Sequence, residues 1–89
     1  SNSMGMIQLG AYLLEKPIDD NGMQHHEFHA IMAGSELKRH EITSLLTNYK
    51  QLAIIDKLQF SDDGSIIFQP DMSQLRHYLQ HVSLDSARA

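Results

Sequence analysis

The chain has 89 residues, no Cys, no Trp and a formal charge of −4, from 7 basic and 11 acidic side chains. That length suits one domain and excludes a complete Rossmann, TIM-barrel or kinase domain. The lack of Cys excludes a disulfide scaffold, a thiolate zinc finger, a thiol nucleophile and a Cys-linked haem. With 42% hydrophobic residues, the composition is that of a globular chain. A domain this short buries roughly 60–65% of its unfolded surface, so dimerisation is an easy way to add burial.

Ser1-Asn2-Ser3 reads as the scar of a cleaved expression tag, which leaves one domain over 4–82 and a frayed tail over 83–89. Met4 or Met6 is then the native start. No basic residue precedes Met6–Leu14, so no secretory signal is read there. No apolar run reaches the roughly 18 residues that span a bilayer, and the expectation is a cytoplasmic protein without a membrane partner.

Met6–Lys16 carries Ile7, Leu9, Leu13 and Leu14 on one helical face, and Pro17 closes it. Its Gly10 and the alternation Ile7, Leu9, Ala11, Leu13 also permit a strand. Asp19-Asp20-Asn21-Gly22 is a turn. Met23–Ala33 places Phe28, Ile31 and Met32 at helical spacing, with Gly34 where a left-handed C-terminal residue belongs. Ser35 is a good N-cap for the clearest helix, Glu36 to Tyr49–Gln51, whose stripe runs through Ile42, Leu45, Leu46 and Tyr49. From Leu52 to Phe68, two β-prone runs flank the turn Ser61-Asp62-Asp63-Gly64-Ser65, which is the pattern of a β-hairpin closed by Pro70. Asp71 caps a last helix, Asp71–Val82, and Gln74 is placed to complete a capping box.

The expected class is α+β: three helices, a β-hairpin and a C-terminal helix. From His25 to Gln69 this order resembles the winged-helix superfamily. A short helix ends at Gly34, a polar-faced helix follows, and KLQFSDDGSIIFQ stands where the wing would be. Ala30 and Gly34 fit the Ala-x-x-x-Gly spacing of helix-turn-helix proteins. Six and nine residues beyond that Gly stand His40 and Thr43, whereas the apolar positions are Ile42 and Leu45, so the turn is two residues longer. The alternative is ββαββα, with Met6–Lys16 and Met23–Ala33 as strands and the two Asp-Asp turns as hairpin tips.

The polar face of the Glu36–Gln51 helix holds Arg39, His40, Thr43, Ser44, Thr47 and Gln51, flanked by Lys38, Asn48 and Lys50. Duplex DNA is read by such a mixture: cations for phosphates, and neutral donors and acceptors for base edges. Lys38, Arg39 and Lys50 are the expected phosphate contacts, and Thr43, Ser44, Thr47 and Asn48 the base-edge contacts. Residues 35–51 sum to +1, three cations against Glu36 and Glu41, and the rest of the chain to −5. The competing reading is a solvated helix face on an acidic protein-interaction or homodimerisation module, because Asp62 and Asp63 at the wing tip repel phosphate. Among six histidines, His25/His29 and His77/His81 stand four apart, the spacing of a two-His metal face on a helix. The plainer expectation is surface histidines, or a core-edge histidine with its hydrogen bond satisfied. No phosphate-binding glycine loop and no nucleophile elbow is present, so neither an enzyme nor a cofactor is expected.

Overall fold

The computed structural model describes residues 3–88, with side chains from 3 to 82. Ser1, Asn2 and Ala89, and the side chains of the expected tail from Ser83, lie outside the described residues. The elements are α1 (Ser3–Leu14), β1 (Gln24–Glu27), α2 (Phe28–Ser35), α3 (Arg39–Gln51), β2 (Ile55–Phe60), β3 (Ser65–Pro70) and α4 (Met72–Arg88). The protein is α+β, with four helices and a three-stranded antiparallel sheet in the order β1-β3-β2. Since the first segment is a helix, the ββαββα alternative is overturned.

The expected helix over Met23–Ala33 is also corrected. Its first half is β1, which pairs with β3 from Gln24↔Phe68 to Glu27↔Ser65. The run QHHE has no apolar alternation, so its strand character comes from a partner some forty residues away. Helix α2 then runs through Gly34 to Ser35, and the left-handed residue is Glu36, φ 61°. Gly34 serves packing instead: a Cβ there would overlap the Tyr12 ring of α1. Ser35 is not the N-cap of α3. Its Oγ donates to the Ile31 carbonyl at 2.6 Å and accepts from the Leu37 amide at 3.3 Å. Helix α3 therefore starts at Arg39, later than the expected Glu36, and Glu41 Oε1 reaches back to the Lys38 amide at 2.9 Å.

The core is one cluster. Met6, Leu9 and Leu13 of α1 meet Ile42, Leu46 and Tyr49 of α3 and Ile66 and Phe68 of β3, and Leu75 of α4 closes it. Gly10 lets the Tyr49 hydroxyl and Leu79 approach α1, and that hydroxyl donates to the Met6 carbonyl. Burial, with Tyr78 beside it, pushes the Tyr49 phenol pKa up. Helix α3 ends in a Schellman motif: Ile54 N donates to Tyr49 O and Ala53 N to Lys50 O, with Ala53 left-handed at φ 59°. Strand β2 starts at Ile55, after that motif. Asp71 caps α4 as expected, its Oδ1 accepting from the Gln74 amide at 3.0 Å.

Candidate nucleic-acid interface

The α3 stripe read from the sequence is the buried one: Ile42, Leu45, Leu46 and Tyr49 are all in the core. The opposite face follows from the same 100° step per residue. Lys38, Arg39, His40, Thr43, Ser44, Thr47, Lys50 and Gln51 are exposed, and Asn48 is half-buried. Arg39, Thr43 and Lys50 fall along one flank and Ser44 and Asn48 along the other. His40 and Ser44 border a groove of about 500 Å³ against Met4, Gly5 and Gln8 of α1. Asn48 lines a second groove with Met6, Leu52 and Tyr78, which turns it away from the centre of the face.

Two of the expected base-edge contacts are restricted. Thr43 Oγ donates to the Arg39 carbonyl at 3.2 Å, and Thr47 Oγ to the Thr43 carbonyl at 2.9 Å. Their protons are used by the helix itself, so their oxygens are left as acceptors. Among the described residues, the ion pairs present involve His25 and His29, and no carboxylate pairs with Lys38, Arg39 or Lys50. Arg39 has a different partner. Its Cζ lies 3.9 Å from the Phe28 ring centre, and Phe28 stacks on Phe60 at 5.9 Å and 14°. The sequence reading missed this arrangement, because Phe28 and Phe60 stand 32 residues apart and nothing local links them.

The hairpin tip is tied down at the root of α2, where the Phe28 amide donates to the Gly64 carbonyl at 3.0 Å. Asp63 works inside the turn: its Oδ1 accepts from the Ser65 amide at 3.0 Å. That backbone bond, then the Ser65 side chain, holds its carboxyl below the usual range. Asp62 is exposed. Farther down β2 the pairing slips between Asp56 and Gln59, and Lys57 sits in the bulge at φ 55°.

The histidine pairs divide. His25 is on β1 and His29 on α2, so the helical two-His geometry expected there is overturned. His25 Nε2 instead contacts Asp19 Oδ2 at 2.7 Å, and His29 lies 3.4 Å from Glu27. Asp19 also accepts from the Met23 amide at 2.9 Å. That bond first, then His25, lowers its pKa. His77 and His81 share α4 with ring centres 6.0 Å apart. Among the described residues, no three His, Asp or Glu side chains converge as a metal site would require.

His26, which the sequence left undistinguished, is the core-edge histidine. It stacks on Phe68 at 5.3 Å and donates through Nε2 to Gln24 Oε1 at 2.8 Å. Gln24 Nε2 donates to the carbonyls of Leu13 and Lys16 at 3.0 and 3.1 Å, closing the end of α1. That amide orientation makes Oε1 the acceptor and so puts the imidazole proton on Nε2. Burial first, then the charges of Lys16 and His25, lowers the His26 pKa to about 4. Gln24 and His26 alternate with exposed His25 and Glu27. A hydrophobic-period reading misses the pattern because all four residues are polar.

The chain matches no protein-family model, no curated protein and no solved structure. Among the described residues, no helix is long and apolar enough to cross a membrane.

Proposed function

We propose that this domain is a small winged-helix-type module that binds duplex DNA in a transcriptional or replication accessory role. Helix α3 would lie in the major groove. The observation that carries the reading is the exposed polar face of α3, with Lys38, Arg39 and Lys50 free of carboxylate partners among the described residues. The element order and the β1-β3-β2 sheet, with β2 and β3 following α3 as a hairpin, support the winged-helix assignment. In this reading Lys38, Arg39 and Lys50 hold phosphates. Ser44 donates to or accepts from base edges, Thr43 and Thr47 accept, and Asn48 contributes at the margin. The acidic tip limits affinity, and its pinning to α2 keeps the wing short.

Fluorescence anisotropy with labelled duplexes tests the reading. Micromolar protein at 50 mM salt is expected to bind, with affinity falling as salt rises. Lys38→Ala and Lys50→Ala each reduce the log–log salt slope by about 1. No binding at 50 mM salt rejects the proposal.

A second reading, a protein-contact or homodimer module, is favoured by a different surface. Ile18 is 50% exposed. Ile18 borders a groove with Ala53, Ile55 and Met72, rimmed by Asp56 and Asp71. A dimer by light scattering that dissociates in Ile18→Ser would support that reading instead.

A further inference from the structure

We infer that Phe28, its ring steadied by the stacked Phe60, holds the Arg39 guanidinium as a preorganised two-pronged clamp for one backbone phosphate of duplex DNA. This inference rests on the reading of α3 as a DNA-contacting helix. Three elements meet in the pile: Phe28 is the first residue of α2, Arg39 the first of α3, and Phe60 the last of β2. Phe28 is 5% exposed, and its own amide is bonded to Gly64, so its ring is a fixed surface. The guanidinium rests over that ring at 3.9 Å, and Phe60 stacks parallel to the same ring.

The chemistry follows from the shape of the cation. A guanidinium against an aromatic face spends none of its five N–H groups on the contact, because they lie in its own plane. They are left for acceptors beyond the edge of the pile. Two parallel N–H groups match two phosphate oxygens, a match the single-point ammonium of Lys does not reproduce. Stacking also reduces the side-chain freedom that binding would otherwise remove. No carboxylate competes for Arg39 among the described residues. Arg39 is at the first turn of α3 and Lys50 is eleven residues on along the same flank, roughly 16 Å away. The two cations therefore meet different phosphates, and Arg39 is the one whose geometry is set in advance.

The experiment is a salt series of duplex affinities on two unrelated sequences, for wild type, Arg39→Lys, Arg39→Ala, Phe60→Leu and Arg76→Lys, with melting temperatures alongside. Arg39→Lys is expected to weaken binding about tenfold on both duplexes with the salt slope unchanged, because charge is kept and the fork is lost. Arg39→Ala weakens it further and lowers the slope by about 1. Phe60→Leu loses roughly threefold at an unchanged melting temperature, through Arg39 alone: in the Arg39→Ala background it changes nothing. Arg76→Lys, the same exchange on α4, leaves affinity as it was. Binding by wild type with Arg39→Lys at wild-type affinity overturns the clamp and leaves the DNA reading standing. A loss confined to one duplex also overturns it, since a phosphate carries no sequence. Failure of wild type to bind either duplex rejects the DNA reading and the clamp with it.

Discussion

Around the junction of α1 and β1, polar groups are buried and matched: Gln24 serves two carbonyls and one imidazole, and His26 is wedged against Phe68. Along α3, polar groups face water, the threonine hydroxyls bond back to their own helix, and among the described residues no carboxylate pairs with the cations. Among the described residues, no buried side-chain nitrogen or oxygen lacks a hydrogen-bond partner. The contrast separates polar residues that hold the fold from polar residues that are available to a ligand. A histidine or glutamine belongs to the first kind when its partners are backbone carbonyls in a dry site, whatever its residue type suggests.

Breaking the matched region has the largest expected effect. Gln24→Ala strands the His26 Nε2 proton, which costs about 1–3 kcal/mol, and removes the bonds to the Lys16 carbonyl and to the Leu13 carbonyl, which keeps the Lys16 amide, each bond contributing about 0.5–1.5 kcal/mol. A total on the order of 4 kcal/mol, seen as a shift of the urea midpoint, is most of what a domain of this size has to lose. A shift within error would mean that water replaces the amide and that the region is not dry.

Acid tests the same region without mutation. His26 titrates at about 4 in the fold against an ordinary value of 6.5. Between those values the unfolded chain binds more protons than the folded one, so stability rises with pH. The contribution is complete above pH 6.5 and is lost as pH falls to about 4, roughly 3 kcal/mol over the window. His26→Phe, which keeps the ring and removes the titration, is expected to flatten that slope in chemical denaturation. The Asp19 and Asp63 carboxyls, with pKa values lowered from 3.8, add their own losses only at lower pH.

Two smaller changes probe the α3 side. Ala53 holds a left-handed conformation that L-residues disfavour by about 1–2 kcal/mol, while glycine adds entropy to the unfolded chain. Ala53→Gly is expected to stabilise by about 0.5–1 kcal/mol in thermal melts while leaving the polar face untouched. Asp62→Asn removes an exposed charge two residues beyond Phe60 and is expected to raise duplex affinity about twofold at low salt, an effect that high salt erases. No change would place the hairpin tip outside the field of the bound duplex.

The face of α3 was legible because a 3.6-residue stripe encodes burial directly: Ile42, Leu45, Leu46 and Tyr49 needed no knowledge of their partners. The hairpin around Ser61–Ser65 and the Asp71 cap were legible for the same reason, since turn and cap chemistry is local. Helix starts were less so. The Ser35 hydroxyl suits a cap, yet here it bonds to Ile31 and Leu37, and α3 waits until Arg39.

By itself, then, the sequence determined an α+β domain whose most polar helix shows a cation-bearing face to solvent, because periodicity and capping act over a few residues. Tertiary structure alone decided that QHHE is a strand, that His25 and His29 do not share a helix, and that Gly34 makes room for Tyr12. It also decided that Arg39 rests on Phe28 with Phe60 beside it. Each of these depends on a partner far away in the chain, and a contact of that kind leaves no periodic trace in the residues that make it.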